Sequence, residues 1–314
     1  MPILFNPNKK KGVFMIPTGG TQAVSCAFSY SAASYTDADP DPTPTVTGTS
    51  GGTFTSTAGL VINASTGEID LSASTLNTYV ITYTVRGKVC TQSVEITASF
   101  TNTYSMEFDG VDERMTVSSF TTSGNDLTIS FWAKLPNLGS GADYMLSGNS
   151  SNVIYYNSSE VFYAKVNGTT AYIATNSGDV PDVFDSNWHH FAITKTGSTL
   201  TFWFDGSSHT NAGSATTGGF TLSTIGAYTH GGAGVNGNLD EIAVWESDQS
   251  SNMATIYGSG VPSSLASLSP LSWWRMGEEG TWTTVWTLTD QGSGSNDATS
   301  VNMEEADRQT DVPS

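Results

Sequence analysis

The chain has 314 residues, 29 of them acidic and 11 basic, for a net charge of −18, and only 13% of its residues are charged. That balance excludes a nucleic-acid binder, whose partner's phosphates demand a basic face, and suits solubility and cation binding instead. No stretch approaches the ~20 apolar residues of a spanning helix, so membrane insertion is not expected.

Length allows two domains, and both read as β, because short alternating runs broken by Gly, Asn and Asp stand where a 3.6-period apolar stripe is missing. Residues 1–20 form a basic arm: Pro2, Pro7, Pro17, Gly12, Gly19 and Gly20 forbid a long regular element, and Lys9, Lys10 and Lys11 supply an anchor for a negatively charged partner surface. The opening Met-Pro-Ile-Leu-Phe-Asn-Pro-Asn has no apolar segment of the length a secretion signal needs.

Residues 21–99 read as a small β-sandwich. Val24–Tyr30 alternates, Asp39–Pro44 is a loop, Gly51–Phe54 opens a strand, and Leu60–Ile62 turns through Asn63–Gly67 into Glu68–Leu71. Tyr79–Val85 and Ser93–Ala98 make a hairpin around Arg86-Gly87-Lys88. Cys26 and Cys90 are the two cysteines, and they either bridge the ends of this domain or sit as separate buried thiols.

Residues 100–314 form the second domain. Ser105–Phe108 is its first strand, and Leu127–Trp132 follows a polar loop; residues 140–183 are rich in tyrosine, with Tyr144, Tyr155, Tyr156, Tyr163 and Tyr172. In 187–206 two alternating runs flank Gly197-Ser198, a type II′ turn that sets Ile193 opposite Phe202 and Phe191 opposite Phe204, so one face of the hairpin is wholly apolar. Leu222–Gly226, a Gly-rich loop over 231–238 and the Asp240 strand come next; Asp248 then caps a helix over Gln249–Gly258 that buries Met253, Ile256 and Tyr257.

Several of these phrases carry a family resemblance. Met106-Glu107-Phe108-Asp109-Gly110-Val111-Asp112, Leu127–Trp132, Trp188-His189-His190-Phe191-Ala192-Ile193-Thr194 and Asn238–Trp245 resemble, in that order, the laminin-G-like, concanavalin A-like jelly rolls. The wording of 51–75 and 79–85 resembles the immunoglobulin-like repeats of bacterial adhesins and phage structural proteins, which serve as spacers. The resemblances imply an all-β protein, an immunoglobulin-like sandwich followed by a jelly roll. Trp273–Glu278 and Asp290–Thr299 resemble a piece that usually precedes the Phe-Asp-Gly strand, which implies a circular permutation with 273–302 paired beside the Asp109 strand.

Family positions also imply site residues. Asp109, Asp112 and Asp240, joined by Asp290 and Asn296 through the permutation, either hold a structural calcium ion or cap loop amides without one. Glu107-x-Asp109-x-x-Asp112 superficially matches the paired carboxylates of glucanases, but Gly110 turns the chain away at once and no catalytic residue is assigned. His189 and His190 point to opposite faces of a strand, so they do not chelate one metal, and His190 packs inside. Tyr155, Tyr156, Tyr172, Tyr228 and His230 are the candidates for stacking on sugar rings, with the core as their alternative home.

An outward-facing composition without an export signal points to a non-enzymatic phage virion protein, a head decoration, fibre or tail part. It would be assembled in the host cytoplasm, be present in many copies or as a homo-oligomer among other virion proteins, and present its jelly roll to host or environmental glycans. A secreted adhesin, the carbohydrate-binding part of a glycoside hydrolase, and a purely architectural virion protein are the alternatives.

Overall fold

The computed structural model describes residues 23–135, 141–159, 161–174, 183–209, 217–229 and 232–314, so the lysines of the basic arm and His230 lie outside the described residues. The chain divides into two compact units, Met1–Ser99 and Phe100–Ser314. Each has its own apolar core.

In the first unit a four-stranded sheet runs in the order Ser34–Thr36, Lys88–Thr97, Asn77–Val85, Thr53–Ser56. The first pairing is parallel and the other two are antiparallel. Tyr79, Ile81, Tyr83 and Val85 are buried at alternate positions of one strand, the period of a sheet with one wet face. Its hairpin closes at Arg86 and Gly87, whose φ values of 46° and 79° are both positive, as a two-residue type I′ turn requires. Two short pairs, Phe28–Ser29 with Thr45–Val46 and Val61–Ile62 with Ile69–Asp70, complete the sheets of this unit. Cys26 and Cys90 are joined in a disulfide, the first of the two states that their spacing allowed.

The described residues of the second unit form a sandwich of two large sheets. One has eight strands: Ser207–His209, Thr199–Phe204, Trp188–Thr196, Leu127–Lys134, Asn236–Trp245, Ser105–Asp109 and Arg308–Gln309 in line, with Ser272–Trp274 also paired to Asn236–Trp245. The other has nine, in the order Thr169–Ala174, Val161–Val166, Asn152–Asn157, Ala142–Asn149, Thr221–Ile225, Arg114–Thr121, Ala298–Val301, Trp286–Leu288, Gly280–Trp282. Ile193 pairs with Phe202 and Phe191 with Phe204, and these four join Phe131, Phe162, Leu222 and Ile225 in the core between the sheets. Phe131, Phe162 and Phe191 stack there with ring centroids 4.6–6.2 Å apart.

Leu127–Ala133 is buried at every position rather than at alternate ones. The reason is a second apolar cluster on the other face of that sheet, where Trp245, Met253, Ile256, Leu265 and Trp273 pack together. Trp132 stacks on Tyr257 on this covered side, at 5.8 Å.

Two expectations change. The helix is shorter than expected: residues Ser250–Asn252 form a 3-10 turn and Met253–Tyr257 one α-helical turn, ended by Gly258 at φ 61°. Asp248 stands one residue before the N-cap, Gln249, and accepts Ser250 N–H at 2.9 Å, and three Ser/Asn residues in a row hold back α-propagation because their side chains compete for backbone partners. The C-terminal segment does return to the start of the unit, but Ala298–Val301 pairs with Arg114–Val117. The place beside the Asp109 strand goes to Arg308–Gln309, opposite Met106 and Ser105.

Candidate functional site

Pairing register builds the most distinctive surface of the second unit. Tyr144 lies opposite Tyr155, Tyr155 opposite Tyr163, and Tyr163 opposite Tyr172, across four neighbouring strands of the nine-stranded sheet. The rings of Tyr144 and Tyr155, and of Tyr155 and Tyr163, stack with centroids 4.9 Å apart and interplanar angles of 24° and 11°. Strand spacing is also ~4.8 Å, so the rings stand upright in file. Tyr228 ends the row against Tyr144, again at 4.9 Å but tilted by 52°.

All four described rings are half-buried. Because each inner ring spends its faces on its neighbours, the row offers ring edges and phenol hydroxyls to solvent, a ridge rather than a flat platform. Burial first, and then the neighbouring phenols, push the Tyr144 and Tyr155 pKa values up. The Tyr144 and Tyr155 hydroxyls therefore stay uncharged and able to donate at neutral pH.

The ladder holds Tyr155 and Tyr228 of the expected sugar contacts, has Tyr172 at its next register position, and adds Tyr144 and Tyr163. Tyr156 is a correction. Neighbouring residues of a strand face opposite ways, and with Tyr155 outward Tyr156 is in the core, fully buried against Phe184 at 4.9 Å.

A cleft of about 320 Å³ opens at the start of the Tyr144 strand, lined by Asp109, Gly110, Gly141, Ala142, Asp143, Ala233 and Asn236. It adjoins the Tyr228 end of the ladder: Tyr144 N–H donates to Ala233 O at 3.1 Å and Tyr228 N–H to Gly232 O at 3.3 Å. Asp143 is 8% exposed, and its Oδ2 is shut off from solvent without a hydrogen-bond partner. Tyr156 lies directly across the strands, and its phenol pKa is raised by burial first and then by Asp143 as hydrogen-bond partner and as charge, although the two atoms miss strict hydrogen-bond geometry.

The five expected calcium ligands do not form one site. Asp109 turns the chain by accepting Val111 N–H at 2.8 Å, and Asp112 accepts the Asn302 amide at 2.9 Å. Asp240 is four residues along the strand from Asn236, the residue opposite Asp109, which puts it about 13 Å away. Asp290 is a loop organiser, accepting N–H groups from Trp273, Gly292 and Asn296 at 2.8 Å each. The Asn296 amide donates to Ser272 Oγ at 2.9 Å.

Asp240 instead gathers with Glu241 and Glu278, with carboxylate oxygens all within 4.8 Å of one another. Asp240 is fully buried and accepts Asn102 Nδ2–H at 2.8 Å; Glu241 accepts Trp273 Nε1–H at 2.6 Å and pairs with Arg275 at 3.1 Å. Glu278 Oε1 accepts Tyr104 N–H at 2.8 Å. Burial, then the Glu241 charge, holds the Asp240 carboxyl well above the usual range, and burial pushes Glu241 up to about 7 despite Arg275. Three carboxylates face one guanidinium, so the cluster takes up protons or a cation. Asn102 Oδ1 and Glu278 Oε2 are buried without partners, and with Asp240 they are the hard oxygen donors that suit Ca²⁺.

His189 and His190 behave as a strand dictates. His189 contacts Asp205 at 2.9 Å and Asp185 at 3.3 Å, while His190 is fully buried, 2.8 Å from Ser130 Oγ, its pKa pushed down to about 4 by burial.

Residues 109–254 match the concanavalin A-like lectin/glucanases superfamily. The second unit has a concanavalin A-like fold. A "putative carbohydrate binding protein" from Bacteroides ovatus aligns with 91% of this chain and 98% of its own, at 10% identity and a TM-score of 0.58. A heptameric SAP-like pentraxin from Limulus polyphemus covers 50% of this chain and 82% of its own, at 17% identity and TM-score 0.38. Domains LG4-5 of the mouse laminin alpha1 chain cover 65% of this chain and 62% of their own, at 15% identity and TM-score 0.35. At these identities the likeness is one of fold, and no curated protein matches the chain.

Proposed function

We propose that the concanavalin A-like unit is a non-catalytic glycan-binding module that holds its ligand across the tyrosine ladder, on a multicopy protein displayed at a virion surface. The observation that carries the binding reading is the file of stacked, half-buried rings over Tyr144, Tyr155, Tyr163 and Tyr228. Aligned hydroxyls and ring edges on rigid strands match a polyhydroxylated chain, which offers hydroxyls and C–H groups in alternation. In this reading the first unit is an immunoglobulin-like spacer, Lys9, Lys10 and Lys11 anchor it on the particle, and a calcium ion held by Asp240, Glu278 and Asn102 stiffens the second unit without touching the ligand.

The Cys26–Cys90 disulfide favours a second setting for the same module, a secreted adhesin, since such bonds persist in oxidising surroundings. A glycan array run on the whole protein with calcium and with chelator tests the binding reading. Ladder-dependent binding, lost in Tyr155→Ala, is expected in both conditions; an empty array in both leaves an architectural protein. Immunogold labelling of particles from producing cells decides between virion and secreted settings.

A further inference from the structure

The rim cleft narrows the class of glycan. We infer that the end of a non-acidic glycan enters the cleft of Asp109, Asp143 and Asn236, where Asp143 accepts its hydroxyl protons, and that glycans carrying a carboxylate at that end are rejected. This rests on the glycan-binding reading and adds to it a charge rule at the cleft.

Three features carry the inference. Asp143 is 8% exposed, its Oδ2 is buried and accepts no hydrogen bond, and it lines the cleft. A buried carboxylate oxygen left unpaired is costly, and a ligand that brings a donor removes the cost. Second, among the described residues the cleft's side-chain charges are the carboxylates of Asp109 and Asp143, with no Lys, Arg or His beside them; an anionic group placed there meets like charge in a partly desolvated site. Third, the cleft adjoins the Tyr144 end of the ladder, because Ala233, which lines it, also accepts the Tyr144 N–H.

The test compares a neutral oligosaccharide that binds the whole protein with the same oligosaccharide oxidised at its terminal C6 to a uronate, titrated by calorimetry in chelator and again in calcium. The wild type should bind the uronate at least tenfold more weakly in both media. Asp143→Asn should weaken the neutral ligand about fivefold and bring the two ligands within about threefold of each other. Asp109→Asn, at an exposed turn, should narrow the ratio in the same direction, which keeps the test open should Asp143→Asn fold poorly. Equal or tighter uronate binding by the wild type, discrimination that exists only with calcium, or an unchanged ratio in the foldable variants overturns the inference. If uronate binding is equal yet abolished by Tyr155→Ala, the charge rule falls and the ladder stands. If neither sugar series binds, both fall.

Discussion

Replacing Tyr155 by phenylalanine and by alanine separates what its ring does from what its hydroxyl does. The ring lies between Tyr144 and Tyr163, stacked on each at 4.9 Å. Aromatic pairs contribute about 0.5–1.5 kcal/mol each beyond their buried area, so Tyr155→Ala, which removes two, should cost the second unit about 1–3 kcal/mol. For a unit of this size each kcal/mol moves the melting temperature by about 2–4 °C, and a 2 kcal/mol loss should lower it by roughly 4–8 °C. Tyr155→Phe keeps both stacks and should change stability by less than about 0.5 kcal/mol. Binding should behave differently, because the faces of this ring are already covered and only its edge and hydroxyl meet the ligand; each variant should then lose most of the glycan affinity. Differential scanning calorimetry paired with a glycan titration reads both quantities. Phenylalanine binding as well as tyrosine while alanine fails would refute the hydroxyl-ridge reasoning, and an unmoved melting temperature in Tyr155→Ala would refute the stack.

Other consequences follow from single residues. The Cys26–Cys90 bond spans a sequence separation of 64, so the double Cys→Ser variant should lose up to about 4 kcal/mol of first-unit stability on loop-closure grounds, read as a lower denaturant midpoint; no loss would mean that the bond does not form. Glu113, which accepts Asp109 N–H at 2.7 Å, is pushed up to about 7, by burial first and then by the Asp307 and Asp109 charges. A carboxyl raised in the fold binds more protons there than in the unfolded chain, so its contribution is greatest below about pH 4.5 and declines as pH rises to about 7. Glu113→Gln should flatten that decline and gain about 1–2 kcal/mol at pH 8 after solvent screening; an unchanged pH slope in urea titrations would contradict it. Millimolar calcium should raise the second unit's melting temperature by several degrees, reversibly with chelator, and Asp240→Asn should abolish the response, since the mutation removes a charged oxygen ligand. A calcium response that survives the mutation moves the ion elsewhere.

The hairpin at Gly197-Ser198 was readable because turn chemistry and period-2 patterning agree there, and its pairs Phe191–Phe204 and Ile193–Phe202 hold to the residue. The ladder was readable only in composition. Residues 140–183 are visibly rich in tyrosine, but which tyrosines share a face depends on pairing across four strands and on bulges between Tyr144 and Leu146 and between Ser147 and Asn149, which local sequence does not encode. That is why the sequence offers Tyr156 beside Tyr155 as a candidate for surface or core and does not single out Tyr144 and Tyr163. The acidic residues failed for a related reason. Asp109, Asp112, Asp240 and Asp290 carry the same chemistry in sequence, and only the fold shows that one lines a cleft, one meets Asn302, one is buried with Glu241 and Glu278, and one ties down a loop. Glu278 is visible in the sequence only as part of the Trp273–Glu278 phrase, since it reaches Asp240 through the return of the C-terminal segment.

Tyrosine-selective labelling followed by NMR during titration with a neutral glycan tests the central claim most directly. The ring signals of Tyr144, Tyr155, Tyr163 and Tyr228 should shift together and saturate at one affinity while that of buried Tyr156 stays in place. Saturable binding that leaves those four signals unmoved would contradict the account.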